Sequence, residues 1–398
     1  MIAHVREAFN QQFSEQQYAD FLADLNQTYN FNIAFRVAES PIFVDKIFAE
    51  KLFKVADEII DFIVQPDFKK QMQGALPAHL HVPNESNHTL FLALDFAVCT
   101  DGSDELVPRL IEMQGFPSLF GYQDFLGSKY REHFNITENL NYHFGLSSNE
   151  YWDVLRKAIL KNHDVENVVL LEIEPYKQNT AIDFVVSHHK LGIPVVDLSD
   201  VILRNKKLYY KKEGKEIEIK RIYNRVIFDE LLKRTDLNLD FHLTEEAEVE
   251  WAGHPNWFFY ISKYTMPFLN CGAVPACKFL NEFSVFPTDL ENYVLKPLFS
   301  FSGTGVIFNV TESDLLAIPT EERKNYLLQR KVNYKPVIQA PDGLVKAEIR
   351  LLFLWDEHEA RPKLITNLAR LSRGEMIGVK YNKNKTWVGG TICFFEID

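Results

Sequence analysis

The stretch from Tyr293 to Val306, Tyr-Val-Leu-Lys-Pro-Leu-Phe-Ser-Phe-Ser-Gly-Thr-Gly-Val, constrains this chain more than any other. It reads as a short apolar strand ending at Lys296, then a small-residue turn, then a second strand through Val306, Ile307 and Phe308. Ser300, Ser302, Gly303, Thr304 and Gly305 form a loop with many exposed backbone N–H groups. Glycine permits the close approach and positive φ that wrapping an anion requires. Lys296 adds a compact cation, so the unit fits a clamp for a nucleoside triphosphate. Taken alone, it reads equally as a β-hairpin with a serine-glycine turn. It is not a P-loop, because the lysine precedes the glycines and a strand comes after them. It also lacks the third glycine and the helix of a dinucleotide fingerprint.

The chain beyond Phe308 is patterned too. Residues 326–332, Tyr-Leu-Leu-Gln-Arg-Lys-Val, read as a short strand carrying Gln329, Arg330 and Lys331. Lys346-Ala-Glu-Ile-Arg-Leu-Leu-Phe-Leu-Trp355 reads as another, with Glu348 and Arg350 on one face by period-two alternation. Thr366-Asn-Leu-Ala-Arg-Leu-Ser-Arg-Gly374 brings Asn367 and Arg370.

Nearer the front, Phe91-Leu-Ala-Leu-Asp-Phe-Ala-Val98 is an apolar strand with one carboxylate, Asp95. After a turn at 102–104 comes Pro108-Arg-Leu-Ile-Glu-Met-Gln-Gly-Phe-Pro-Ser118. Glu112 and Gln114 stand two apart on a strand and face the same way, and Asp95 can come from the paired strand. Magnesium takes hard oxygen ligands and shares them with substrate phosphates. Singly, each residue has a plainer reading: Asp95 as a turn cap, Glu112 as an exposed hairpin position, Arg350 as the ion-pair partner of Glu348.

The order V-L-K-P, S-G-T-G-V, L-L-Q-R-K-V, E-I-R, N-L-A-R resembles the ATP-grasp superfamily of ligases. The segment from Asp95 through Glu112 to Ser118 resembles that family's metal-binding "D … E-x-N-x-x-P-S", with Gln114 where the family has Asn. It stands ahead of the ATP-binding part, as in the circularly permuted ATP-grasp proteins, whose best-known members resemble the synthetase part of glutathionylspermidine synthase. The resemblance implies an α/β (α+β) chain: an ATP-grasp fold in circularly permuted order with a Rossmann-like pre-ATP-grasp domain. It implies ATP and Mg²⁺ as cofactors and an ATP-dependent carboxylate-amine ligase acting through an acylphosphate. On this pattern Asp95, Glu112 and Gln114 hold magnesium. Lys278, Lys296, Ser300, Ser302, Gly303, Thr304 and Gly305 bind the nucleotide phosphates, and Gln329, Arg330 and Lys331 form the adenine hinge. Arg350 faces the reacting phosphate, and Asn367 and Arg370 contact phosphate or acyl donor. Lys278 reads equally as a surface lysine. Two alternatives stand beside the ligase: an ATP-dependent small-molecule kinase, which shares its first step, and a nucleotide-binding protein without turnover, which Gln114 keeps open.

Three regions are expected. Residues 1–165 hold N-terminal helices and the metal-binding strands, with a helix over 48–63 from apolar positions spaced three and four apart. Residues 166–250 hold the Rossmann-like domain: a strand at 168–173, a helix at 179–190, a glycine C-cap at Gly192 and a strand at 191–197, which is the grammar of a parallel sheet. A hairpin over 208–219 and a strand at 222–227 complete it. Residues 251–398 hold the ATP-binding part. At 46% hydrophobic residues the chain can build a core, and a net charge of −12 argues against nucleic acid as a partner. No apolar run has the length of a membrane span, and the start Met1-Ile-Ala-His-Val-Arg-Glu-Ala is not a signal-peptide pattern, so no membrane and a cytoplasmic location are expected. The resemblance implies small-molecule or peptide carboxylates and amines as the substrates. The four scattered cysteines indicate neither zinc nor disulfides. His254, before a proline, is a turn residue; His79 and His81 share a strand face; His188 and His189 cap an exposed helix end.

Overall fold

The computed structural model describes residues 1–103, 105–300, 303–374, 377 and 382–397. It is a mixed α/β structure with several sheets. The central sheet is antiparallel and runs, edge to edge, through strands Gly389–Thr391, Lys363–Ser372, Gly343–Leu354, Phe91–Thr100 and Leu106–Gln114. Strand Ile338–Ala340 adds to the start of Gly343–Leu354. The two middle strands, Phe91–Thr100 and Gly343–Leu354, are buried along most of their length: the first is a nearly unbroken apolar run, and the second buries Glu348 and Arg350 among its apolar residues. Each fully buried leucine or phenylalanine here contributes about 1.5–3 kcal/mol of hydrophobic stabilisation.

Four further sheets lie among the described residues. Strands Glu250–Ala252, Arg221–Asn224, Val168–Glu172 and Val195–Asp197 form a parallel sheet in that order. Helix Ala181–Leu191 connects its last two members and ends at Gly192, which takes φ 79°. Strand Arg221–Asn224 is shorter than expected because the Asn224 side chain bonds both the N–H and the carbonyl of Val226 and turns the chain. Strand Glu250–Ala252 joins the sheet beside Arg221–Asn224. A small antiparallel sheet has the order Cys277–Phe279, Tyr326–Arg330, Tyr293–Pro297. The charged hairpin is Lys207–Lys212 with Lys215–Ile219.

Helix Lys46–Ile63 starts at Asp45, whose carboxylate accepts the Phe48 N–H at 2.9 Å, and buries Phe48, Leu52, Ala56, Ile59, Ile60 and Ile63. That spacing is the one the sequence shows. Strand Ile42–Val44, just before it, pairs in parallel with Cys393–Glu396, so the two ends of the chain share a sheet. His79 and His81 do not share a strand face: residues 78–80 form a 3₁₀ turn closed by Pro77. The strand expected at 306–308 is reduced to one bridge, Ile307 to Leu295, because Gly303 and Gly305 take φ 71° and 73° and bend the chain sharply before it. No helix among the described residues is long and apolar enough to cross a membrane.

Candidate functional site

The central sheet carries a cluster of charged side chains on one face. Register explains it. Asp95 lies opposite both Glu112 and Arg350, and Glu348 lies opposite Arg370. Directly opposed residues project to the same face, and so do residues two apart. Asp95, Glu112, Gln114, Glu348, Arg350 and Arg370 therefore meet, although their strands come from far apart in the chain.

Arg350 grips Asp95 with two parallel bonds, Nε to Oδ1 and Nη2 to Oδ2. Its Nη1 donates to Ser118 Oγ at 2.9 Å. Arg370 Nη1 donates to Glu348 Oε1 at 2.6 Å and lies 3.8 Å from Asp95. Tyr334 closes the other side of Glu348 through a bond of 2.8 Å. Glu112 accepts from Gln114 Nε2 at 2.9 Å and stands 3.6 Å from Arg350 and 3.5 Å from Lys263. Burial would raise the Glu112 carboxyl, but Lys263, Arg350, Arg370 and Lys296 hold it down at about 2.

Lys296 reaches this face from the small sheet and donates to the Ile111 carbonyl at 3.2 Å. Burial pushes its ammonium down to about 8, against the pull of Glu112. Lys263 donates to the Ser300 carbonyl at 2.7 Å, so one side chain ties the serine-glycine loop to Glu112. The narrow cavity beside them is lined by Gln114, Phe116, Phe258, Lys263 and Phe299, among others. In the loop itself, Gly303, Thr304 and Gly305 are exposed. A side chain at Gly305 would meet Pro297 at 2.9 Å as well as an unfavourable φ. Ser302 lies outside the described residues.

Gln329 shares a face with Lys296, and its Oε1 is buried without a hydrogen-bond partner. The other nucleotide candidates fall elsewhere. Lys278 pairs with Leu328, which puts it on the opposite face from Lys296, exposed. Arg330 stacks over Tyr293 and pairs with Asp289 at the surface. Lys331 sits over the Phe308 ring and bonds Asn309, on the far arm of the loop. Asn367 lies opposite Leu351, so it projects to the other face of the central sheet from Arg350. Its amide is spent there on Tyr142 and Cys393.

Magnesium is implied by Asp95, Glu112 and Gln114, which do gather on one face. Their donor set does not fit a divalent cation as arranged. Both Asp95 oxygens face Arg350, and the Glu112 oxygens face an amide N–H, Arg350 and Lys263. Of the three residues' oxygens only Gln114 Oε1 is a buried acceptor without a partner. Among the described residues no group of three or more His, Cys, Asp or Glu side chains is placed to hold a metal.

Sequence reasoning missed Lys263 and Tyr334 as members of this cluster, and gave Ser118 no role of its own although it closes the metal-binding motif. Glu348 was visible through its alternation with Arg350; Lys263 belongs to no motif and is brought in by the 3₁₀ segment Lys263–Phe268. His254 is buried and structural, its ring between the Pro83 carbonyl and the Asn256 N–H. His188 and His189 lie exposed near a helix end, as their sequence position suggests.

No protein-family model matches this chain, and no curated protein matches it in sequence. Among solved structures it is similar to a glutathione synthetase-like effector from Globodera pallida, determined in the apo form. The TM-score is 0.57 at 9% sequence identity, over 96% of each chain. At that identity the likeness is one of fold: a glutathione synthetase-like α/β architecture.

Proposed function

We propose that this cleft binds the phosphates of ATP and that the chain is an ATP-dependent carboxylate-amine ligase of the circularly permuted ATP-grasp type. One observation carries the reading: Asp95 and Glu112, from the front of the chain, share a face with Arg350 and Arg370, from the back, and Lys296 reaches that face. The parallel sheet of residues 168–252 is the Rossmann-like pre-ATP-grasp domain in this reading. Its crevice outside the carboxyl ends of the strands takes the acceptor.

The chemistry has two steps. A substrate carboxylate oxygen attacks the γ-phosphorus, ADP leaves, and an acylphosphate remains. An amine nitrogen then attacks the acyl carbon and inorganic phosphate departs. The chain's own part is positioning and charge compensation. Lys296, Lys263 and the loop N–H groups hold phosphate oxygens. Arg350, whose planar fork suits a phosphoryl group better than a lysine does, offsets charge on the transferred group. Magnesium enters neither step.

A second reading, a nucleotide-binding protein without turnover, is favoured by one feature. The guanidinium that would face the phosphoryl group is closed on Asp95. ADP release over a panel of carboxylates, with and without amines, separates the readings. Release that depends on the amine supports the ligase. Release with a phosphorylated product and no amine supports a kinase. Nucleotide binding without release supports the third reading.

A further inference from the structure

We infer that the cleft holds its nucleotide phosphates without a divalent cation, the Lys263 ammonium standing in for the metal beside Glu112. This rests on the proposal that phosphates bind here.

The charges of the cluster decide the matter. Lys263, Lys296, Arg350 and Arg370 are the cations; Asp95, Glu112 and Glu348 are the carboxylates. Each carboxylate already has a protein cation nearby: Arg350 for Asp95, Arg370 for Glu348, and Lys263 with Arg350 for Glu112. The cluster is one positive charge in excess before any ligand arrives. A divalent cation would have to displace an ammonium or a guanidinium to reach an oxygen of Asp95 or Glu112.

An anion meets the opposite situation. Lys296 is buried, its hydrogen bond goes to a backbone carbonyl, and among the described residues no carboxylate lies within 4.0 Å of its nitrogen. A buried cation without an ionic partner is costly, and a phosphate oxygen supplies that partner through a charge-assisted bond. Lys263 is fixed rather than mobile. Its side chain is 9% exposed and anchored on the Ser300 carbonyl. A lysine held between a carboxylate and the phosphate loop does what a bridging metal does: it screens the carboxylate from the phosphates.

The test is calorimetric titration of the full chain with the β,γ-imido analogue of ATP, once in EDTA and once in excess magnesium. The expected result is an affinity in EDTA within about threefold of that in magnesium. In Lys263→Met, affinity in EDTA falls by more than about tenfold, and magnesium restores part of it because Glu112 is now open to the metal. Lys263→Arg keeps the wild-type pattern. Melting temperatures show that the variants fold; should Lys263→Met melt early, the wild-type comparison alone decides. Wild-type binding that appears only with magnesium overturns the inference and leaves phosphate binding intact. Equal binding of Lys263→Met and wild type in EDTA overturns the role of Lys263. No binding in either medium overturns the phosphate reading itself, and this inference with it.

Discussion

The Asp95–Arg350 pair is nearly inaccessible on both sides, with side chains 2% and 4% exposed. Two buried charges in bidentate contact stabilise less than their attraction alone indicates, because both have been taken out of water. Breaking one side is another matter. Asp95→Asn leaves the buried guanidinium without its bidentate partner, with only Glu112 at 3.6 Å, and should cost about 3 kcal/mol in urea unfolding. Replacing both, as Asp95→Leu with Arg350→Leu, should cost clearly less than the sum of the single changes. Additive losses would mean that the two residues act separately. Lys296 tests ligand binding. Lys296→Met should weaken binding of the ATP analogue by about 1.5–3 kcal/mol, the range for a hydrogen bond to a charged group. Unchanged affinity by calorimetry would remove Lys296 from the phosphate site.

At the scale of elements, the sequence showed most where one period ran long. The 48–63 pattern at three and four gives the helix, and alternation places Glu348 with Arg350 and Glu112 with Gln114. The resemblance put both Asn367 and Arg370 at the site, although parity separates them: they stand three apart on one strand and so face opposite ways. Lys278 was different. Its face depends on which residue of strand Tyr326–Arg330 it meets, and register across a small sheet is set by packing. Strand Glu250–Ala252 is three residues long and exists because an edge was open beside Arg221–Asn224.

Strand Val168–Glu172 ends on a buried carboxyl that burial pushes up to about 8. The unfolded chain loses this proton near 4.5, the ordinary value. Between those values the folded chain binds a proton that the unfolded chain does not, so stability falls as pH rises through the window. Glu172→Gln should abolish this slope. It should raise the melting temperature at about pH 9 and leave it nearly unchanged at about pH 4. A Glu172→Gln chain with the wild-type pH profile would show that the carboxyl is ordinary.

For the whole molecule, the main fact is how far apart in sequence its neighbours are. Residues 91–114 sit in one sheet with residues 343–391, and Ile42–Val44 lies beside Cys393–Glu396. Such pairings close very long loops, which slows folding more than it weakens the fold. They also tie strand Cys393–Glu396 to strand Ile42–Val44 and to helix Lys46–Ile63. Phe394 is fully buried and contacts the rings of Phe43 and Tyr142. Phe394→Ala should cost about 3–5 kcal/mol. The loss should appear as one shifted transition in both far- and near-ultraviolet circular dichroism, whereas an early partial transition would mean that the end strand melts by itself.

The Lys263 bond to the Ser300 carbonyl makes the loop's posture and the electrical balance of the face a single variable. Lifting the loop means either dragging the ammonium away from Glu112 or leaving the Ser300 oxygen behind. The first leaves a half-buried carboxylate with one neighbouring guanidinium in place of two cations. The second frees the loop at its root. Whatever sits against Glu112 therefore bears also on the hold that Lys263 has on the Ser300 carbonyl.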